Sequence, residues 1–166
     1  MKFRGVARVG TALLLMAGPA CADDTDAAPG VAHSTSFLAL TPDTAVVVRP
    51  LDNSRANLAL KQHFAAALKK RTVRVNETAA PYVLNFETEV DQAILRGRPG
   101  EAGDRGMLRY VLTATLDDER TGRRLWQGKA SYAGAPADEA TTMAAMAAIL
   151  ADQLGQTVRQ KAFRIE

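Results

Sequence analysis

Three carboxylates at alternate positions are the residues with the clearest chemical potential in this chain of 166 residues. Glu87, Glu89 and Asp91 alternate with other residues, so on a β-strand they share one face at a spacing of about 6.5–7 Å. Paired carboxylates can hydrolyse a glycosidic bond or bind a hard cation. A solvated strand face, offset by Arg109 or Lys129 on neighbouring strands, explains the same pattern and is the interpretation we prefer.

The other residues that could bind a metal do not fall at ligand spacing. His33 lies in a presumed tether, and His63 lies on a predicted helix without a ligand three or four positions away. The run 117–119 is acidic but lacks the spacing and the glycine of a calcium loop. We therefore predict no metal site and no cofactor, and we interpret the histidines as surface or half-buried side chains.

A glycine-rich segment at 97–106 has the composition of a phosphate-binding loop. It lacks the Gly-Lys-Ser/Thr ending, however, and it connects two predicted strands instead of opening a helix. We interpret it as a hairpin connection and predict that it contacts a partner protein. The contact residues we expect are Gly97, Arg98, Arg105 and, on the next strand, Trp126. The chain contains no nucleophile motif, so we predict no catalytic residues and no enzyme.

Residues 1–22 have the pattern of a signal peptide. A basic start and a short apolar run precede Ala20 and Ala22, the small residues that we expect to direct cleavage. The run is shorter than the roughly 20 residues needed to span a bilayer. The pattern predicts export to the periplasm or the medium, with a mature chain that begins at Asp23.

Cys21 is the single cysteine of the sequence and leaves two interpretations open. It can be a small residue of the cleavage site, or it can carry the lipid of an outer-membrane lipoprotein. Lipidation favours an aliphatic residue three positions earlier, where this chain has Gly18. We prefer the first interpretation, and we expect a membrane partner only if Cys21 is lipidated.

The net charge argues against a nucleic-acid partner. The full chain has 21 Lys+Arg and 18 Asp+Glu, and three of these bases, Lys2, Arg4 and Arg8, lie in the signal segment. The chain after residue 22 therefore has 18 bases and 18 acids and is formally neutral. A neutral chain has no basic patch of the kind that attracts nucleic acid.

The sequence predicts a flexible leader followed by one folded domain. Residues 23–36 are small and polar and include Pro29 and Gly30, which is typical of a tether. The domain is expected to cover residues 37–166. Its first strand is the apolar run Ala45–Val48, which ends at Pro50 and which we expect to be buried on both faces or to lie centrally in the sheet.

Two segments carry apolar residues at helical spacing. Asn53 or Ser54 can cap a helix over 55–70, and Leu60, Phe64 and Leu68 form its stripe. A second helix is predicted from Asp138 to Lys161. Its stripe runs past Gly155 through a longer set of apolar residues: Met143, Met146, Ala147, Leu150, Leu154, Val158 and Ala162.

Alternating apolar and polar residues predict the strands of the sheet. The clear examples cover 82–94, 107–118 and 123–132, and a shorter strand is expected within 72–76. One apolar face per strand matches one apolar stripe per helix. We predict an α+β two-layer sandwich in the order β-α-β-β-β-α, with a mostly antiparallel sheet of about four strands and two amphipathic helices on one face.

Three pieces of the sequence together resemble small bacterial envelope proteins. They are the strand–helix unit Thr44–Val75, the phrase AAPYVLNFETEV at 79–90, and YVLTATLDDERTGRRLWQGKASY at 110–132 followed by a helix. The pattern is similar to that of lipopolysaccharide-assembly and ABC-transport-auxiliary lipoproteins and of curli-secretion-type periplasmic domains. The resemblance covers residues 44–160, departs from those families at the lipidation signal, and supplies no catalytic residue.

The sequence favours an exported, non-enzymatic accessory protein of the bacterial envelope that binds an envelope protein partner. Such a transport or assembly auxiliary would dock through a sheet edge, a loop or a helix face. Two alternatives stay open at this point. One is a periplasmic carrier of an apolar ligand or lipid, and the other is a small hydrolase that uses the acidic strand face.

Overall fold

The computed structural model of the protein describes residues 30–41, 44–93, 107–134 and 138–165. These residues form seven strands in one sheet and two helices. In chain order the elements are β1 Gly30–Ser36, β2 Ala45–Pro50, α1 Arg55–Lys70, β3 Arg74–Asn76, β4 Tyr82–Ala93, β5 Met107–Asp118, β6 Arg124–Gly134, α2 Glu139–Asp152 and β7 Val158–Phe163.

The strand order across the sheet is β3-β2-β4-β5-β6-β1-β7. β2 runs parallel to both β3 and β4, and the other neighbouring pairs are antiparallel. α1 supplies the crossover that two parallel strands require. The predicted α+β class is confirmed, but the predicted count of about four strands is wrong because strands at both margins of the sheet carry weak sequence signals.

One apolar core lies between the helices and one face of the sheet. Alternate residues of the central strands point into it, so Phe86, Tyr110 and Trp126 are almost fully buried. The predicted stripe of α1 and the first part of the predicted stripe of α2 are buried against the same core, as expected from their spacing. Burial of this one continuous surface provides the main stabilisation of the fold.

Side-chain caps fix the beginnings of both helices, and these beginnings lie side by side at one end of the sheet. The Ser54 hydroxyl accepts a hydrogen bond from the Asn57 amide at 3.2 Å. The Asp138 carboxylate accepts one from the Thr141 amide at 3.1 Å. Hydrogen bonds from the side chain and then the backbone of Thr141 lower the pKa of Asp138. At the opposite end, the Arg71 guanidinium donates to the last carbonyls of α2.

The first correction concerns residues 30–36, which form β1 and not the end of a flexible leader. β1 lies between β6 and β7, so its backbone is paired on both sides. The ring of Phe163 lies so close to Gly30 that a Cβ there would stand 2.4 Å from it. Backbone pairing and this close contact order a segment whose side chains are small and polar, and the folded part begins at Gly30 and not near Phe37.

The second correction concerns the last helix, which was expected to reach Lys161 and ends at Asp152. Gly155 adopts a left-handed φ of +76°, a conformation that residues other than glycine rarely adopt, and the chain turns there. The residues after the turn form β7 at the edge of the sheet. Leu154 nevertheless remains buried, because the turn keeps its side chain on the core.

The segment predicted to be a signal peptide lies outside the described residues. Cleavage at Ala20 and Ala22 and lipidation of Cys21 therefore stay predictions. Within the described ranges, no helix has the length and the apolar character needed to cross a membrane.

Candidate functional site

The predicted acidic row lies on the open face of the sheet, opposite the helices. Glu87, Glu89 and Asp91 are all exposed. Their direct neighbours on β5 are Thr113, Val111 and Arg109 respectively, so one cation stands across from the row. In the part of the chain that the structure describes, the three carboxylates line neither the groove between the helices nor a polar depression on the open face. This position matches the preferred interpretation of a solvated strand face.

The acids of the β5–β6 hairpin stabilise the turn itself. Asp117 accepts a hydrogen bond from the Arg124 guanidinium at 3.2 Å. Asp118 accepts from the backbone amides of Arg120 and Thr121, both at 2.9 Å. The bond from the Thr121 amide is the main cause of the lowered pKa of Asp118. These carboxylates are occupied by their own loop.

The two histidines are far apart in the fold. His33 belongs to β1 and not to a tether, which corrects its predicted context, and its direct neighbour on β6 is Lys129. His63 lies on α1, and both side chains are exposed. In the part of the chain that the structure describes, no three His, Cys, Asp or Glu side chains come together to hold a metal ion.

Trp126 is wrong as a predicted partner contact. Its side chain is 0% exposed, and its indole Nε1 donates to the backbone carbonyl of Gln153 at 2.9 Å. A large ring with one polar atom fills a core well when that atom finds a partner, as it does here. Gly97, Arg98 and Arg105, the other expected contact residues, lie outside the described ranges.

A groove of about 290 Å³ separates the first turns of α1 and α2. Small side chains on both helices leave this space open. Apolar residues form most of its surface, and polar residues stand on its floor and rim. The lining consists of Ala56, Asn57, Ala59, Leu60, His63, Thr88, Asp138, Glu139, Ala140 and Met143.

A hydrogen-bond network fixes the floor of the groove. The Asn57 side chain is buried, accepts from the Thr88 hydroxyl at 3.0 Å and donates to Asp52 at 2.8 Å. Hydrogen bonds from Ser54, first from its backbone, lower the pKa of Asp52. The network ties α1 to β4, so the groove is pre-formed and does not depend on a ligand for its shape.

The rim of the groove on the α2 side is acidic. Asp138 and Glu139 are both exposed there. The buried ring of Tyr110 lies within the electrostatic influence of both, and its pKa is raised mainly by burial and then by Glu139. The groove can therefore accept an apolar side chain flanked by a cation.

The open face carries a second and more polar depression of about 230 Å³. Threonine hydroxyls and the ends of basic side chains surround it, and it lies over three neighbouring strands, β1, β5 and β6. Its lining residues are His33, Thr35, Thr113, Thr115, Arg124, Gln127, Gly128 and Lys129.

Large apolar side chains that reach solvent occupy two opposite ends of the molecule. The Phe37 end comprises Phe37 and Leu38, beyond the last residue of β1 and near the beginning of β6. The groove end comprises the groove and the apolar residues beside the beginnings of the helices. The exposed fractions are 52% for Phe37, 50% for Leu38, 65% for Leu51, 47% for Leu58 and 42% for Val90.

Neither the Phe37 end nor the groove end was predicted from the sequence. Phe37 and Leu38 do carry a signal, because two large apolar residues follow a polar stretch outside any predicted strand or helix. The groove carries none, because its alanines look like ordinary helix residues. Only the approach of two helices that are distant in sequence creates it.

No family model and no curated protein matches the chain. Solved structures do share its fold. PelC from Paraburkholderia phytofirmans, solved as a dodecamer, aligns with a TM-score of 0.54 and 18% identity over 78% of this chain and 99% of its own. A PDZ domain protein from Parabacteroides distasonis aligns with a TM-score of 0.58 and 11% identity over 82% of this chain and 39% of its own.

A bacterial lipoprotein is also among the similar structures. A minor lipoprotein from Acinetobacter baumannii aligns with a TM-score of 0.46 and 15% identity over 68% of this chain and 92% of its own. The weak structural resemblance to bacterial lipoproteins that the sequence pattern predicted is confirmed. At these identities the likeness is one of fold.

Proposed function

We propose that this chain is an exported, non-enzymatic accessory protein of the bacterial envelope that acts through protein–protein contacts, including contacts between its own copies. The observation that carries this proposal is the exposure of Phe37 and Leu38 at one end and of Leu51, Leu58 and Val90 at the other. Exposed apolar side chains in such clusters are typical of interaction surfaces. Both sets of residues lie on or next to strands and helices of the fold, and a side chain on a fixed backbone loses less entropy on docking.

The comparison with PelC supports contacts between copies. That protein shares the fold over nearly its whole length and was solved as a dodecamer. A fold of this type can therefore present self-complementary surfaces. Most soluble oligomers contain identical subunits, so a second copy of the chain is one partner that the proposal includes.

The described carboxyl groups with lowered pKa values give no indication of catalysis. Catalytic groups commonly have pKa values shifted by burial or by neighbouring charges. The described carboxyl groups with lowered pKa values, Asp52, Asp118 and Asp138, each accept hydrogen bonds from nearby residues of their own loop or helix beginning. Each shift thus has a structural cause.

A hydrolase is the alternative that the acidic row predicts, and a paired substitution tests it. Glu87→Gln and Glu89→Gln together remove two carboxylates without changing side-chain size. We expect the variant to retain full function in a cell-envelope assay of a strain that lacks the gene. Loss of function with normal folding and normal partner capture would support the hydrolase instead.

Carriage of an apolar ligand is the other alternative. The groove, at about 290 Å³, falls just below the range of about 300–1,000 Å³ that is common for small-molecule sites. Native mass spectrometry of the purified protein tests this function directly. We expect the mass of the protein alone, whereas a co-purified lipid would favour the carrier.

Site-specific photo-cross-linking in cells tests the proposed function. A photo-reactive amino acid is placed at Phe37 in one strain and at Thr113, on the open face, in a matched control. We expect adducts from position 37 to envelope proteins, with a second copy of this chain among them, and few adducts from position 113. Equal labelling at both positions, or none at 37, would contradict the proposal.

Intact-mass analysis of the envelope fractions tests export. A mass that begins at Asp23 is the result we expect for a diffusible periplasmic protein. A mass that begins at Cys21 with added acyl chains would place the protein on a membrane and leave its contact function intact. An unprocessed chain in the cytoplasm would overturn the envelope assignment.

A further inference from the structure

We propose that copies of this chain associate head to tail, with the Phe37 side chain of one copy inserted into the groove between α1 and α2 of the next. The inference rests on the self-contact included in the proposed function. It adds the identity of the two surfaces that meet.

The Phe37 end presents an apolar side chain from a fixed backbone. The Phe37 amide donates to the carbonyl of Leu125 at 2.8 Å, and the Ser36 hydroxyl donates to the carbonyl of Leu38 at 2.8 Å. About half of each apolar side chain is nevertheless exposed. A large ring held outward in this way loses little backbone freedom when it is buried by a partner.

The groove has the size and the lining that one large apolar side chain requires. Its walls include Ala59, Leu60 and Met143, and its volume is about 290 Å³. Met143 has a flexible thioether side chain that can adapt to an aromatic ring. The Asn57–Thr88 hydrogen bond holds the floor in place. Neither wall needs to unfold or separate for the ring to enter.

Charge complementarity favours the same pairing. The groove rim carries Glu139, and the Phe37 end carries Arg123, two residues before the carbonyl that holds the Phe37 amide. Both are exposed, and neither forms an ion pair within the described ranges. An arginine beside the inserted ring and a carboxylate beside the groove would meet at the rim of the contact, where charges guide association.

Other acids at the Phe37 end do not cancel this complementarity. Asp117 is already paired with Arg124 at 3.2 Å, and Glu119 with Arg49 at 3.3 Å. The carboxylate of Asp118 is bound by the backbone amides of Arg120 and Thr121 at 2.9 Å, beside the Arg120 side chain. Arg123 is therefore left as a cation that a second molecule can use.

The opposite placement of the two surfaces determines the kind of assembly. Ser36, next to Phe37, pairs with Trp126 at the beginning of β6, whereas the groove lies where both helices begin, beside the far end of that strand. In a contact between two different surfaces, the first copy of a row keeps a free Phe37 and the last copy keeps a free groove, or the reverse. Association continues until a ring closes or a filament grows.

Two blocking substitutions and their mixture test this arrangement. Phe37→Asp removes the inserted ring, and Ala59→Arg fills the groove from an exposed helix position. Sedimentation velocity of the purified full-length protein should show an assembly for wild type and a monomer for each variant. Loss of a central interface side chain should raise the dissociation constant at least about thirtyfold. Circular dichroism confirms that each variant is folded.

The mixture is the decisive measurement. Phe37→Asp retains a working groove, and Ala59→Arg retains Phe37, so a 1:1 mixture should form dimers and nothing larger. A contact between identical surfaces could not be restored in this way. A mixture that remains monomeric, or a Phe37→Asp variant that assembles like wild type, would overturn the head-to-tail pairing.

Control variants separate this inference from the proposed function. Gln62→Asp, at an exposed position of α1 outside the groove lining, is the control and should leave the assembly unchanged. Leu51→Asp changes the most exposed large apolar residue of the groove end, which does not line the groove, and tests whether the self-contact uses that residue instead. Assembly that is lost in Leu51→Asp but retained in Phe37→Asp would reject the inference and preserve a self-contact. A wild-type protein that stays monomeric would reject both the inference and the self-contact. Photo-cross-linking would then still test the other part of the proposed function, which is contact with other envelope proteins.

Exchanging the two charges tests whether Arg123 of one copy pairs with Glu139 of the next at the rim of the contact. Arg123→Glu and Glu139→Arg should each weaken the assembly by about two- to tenfold, and the double variant should recover most of that loss. No recovery in the double variant would reject this ion pair but not the insertion of Phe37.

Discussion

The two faces of the sheet differ in what they contribute. On the covered face, Phe86, Leu112 and Trp126 are almost completely buried beneath the helices. On the open face, the residues next to them in the chain are charged or polar, such as Glu87, Thr113 and Gln127. The same three strands thus carry the core on one side and a hydrated surface on the other.

Stability and interaction are therefore located in different parts of the molecule. Burial of apolar area on one face provides the folding free energy. The open face can then change its side chains at little cost to folding, and so can the exposed apolar residues at the two ends. Substitutions on the two faces should therefore differ in their effect on stability.

Adjacent residues of β4 should differ most in their effect on stability. Phe86→Ala removes a buried ring that lies 5.1 Å, centroid to centroid, from that of Phe64. We expect it to lower the free energy of unfolding by about 3–5 kcal/mol. Glu87→Ala, one position along, should change it by less than about 0.5 kcal/mol. Urea unfolding followed by circular dichroism measures both, and similar losses would contradict the separation of the two faces.

Added volume should also be tolerated differently on the two sides of β6. A Cβ at Gly128 would stand 2.5 Å from the buried ring of Trp126 and 3.1 Å from Leu150. Gly128→Ala should therefore cost about 1–3 kcal/mol, because a well-packed core resists extra atoms. Gln127→Ala, on the open face, is the neighbouring control and should remain within about 0.5 kcal/mol of wild type. A Gly128→Ala variant as stable as wild type would show that the core beside this position has room for an added methyl group.

Two asparagines that both form hydrogen bonds provide a smaller contrast. Asn57 is buried and bonded to Thr88 and Asp52, whereas Asn85 on the open face donates to Asp117 at 3.2 Å. Asn57→Ala should cost about 1–3 kcal/mol, because it removes both hydrogen bonds of a buried side chain and unties α1 from β4. Asn85→Ala should cost less, since water can replace its bond. If calorimetry shows equal decreases in the melting temperatures of the two variants, the floor of the groove is already hydrated.

The smallest effect is a loss of stability in acid that arises outside both faces. Asp52, Asp118 and Asp138 have folded-state pKa values below the ordinary 3.8 because their carboxylates accept local hydrogen bonds. Their stabilisation is complete above pH 3.8 and disappears as the pH falls through the lowered values. We expect the urea midpoint to fall below pH 4. Asp138→Asn, which can cap α2 without titrating, should reduce that fall, and an unchanged pH profile in this variant would exclude the cap as a contributor.

Regular periodicity explains which parts of the fold could be predicted from the sequence. The predicted ranges of α1 and β5 match the structure exactly at 55–70 and 107–118, because their apolar residues repeat at the helical and strand periods. β1 was missed because its small residues show no such period and its order comes from strands more than 90 positions away. The last helix was predicted too long because Val158 and Ala162 continue the helical spacing by chance beyond Gly155.

The candidate site was harder to predict than the fold for a related reason. The acidic row and the histidines were found by residue type, and the structure leaves them dispersed and exposed. The groove and the exposed Phe37 depend on how distant elements meet. Trp126 illustrates the same limit, because a tryptophan in a strand sequence can be a contact or a core residue, and only the position of the Gln153 carbonyl decides.

The position of β1 in the sheet sets the order in which the chain can complete its fold. Its partners are β6, about a hundred residues later, and β7, which is later still. The strands β2 to β5 can pair with partners that are near in sequence. Pairing of β1 with β6 and β7 must first close a long loop of chain, and this closure costs entropy before any stabilising contact forms. We therefore expect the β1–β6–β7 region to form last and slowly. Until it forms, one side of β6 offers an unpaired strand edge, and the protein is most prone to aggregation at that stage.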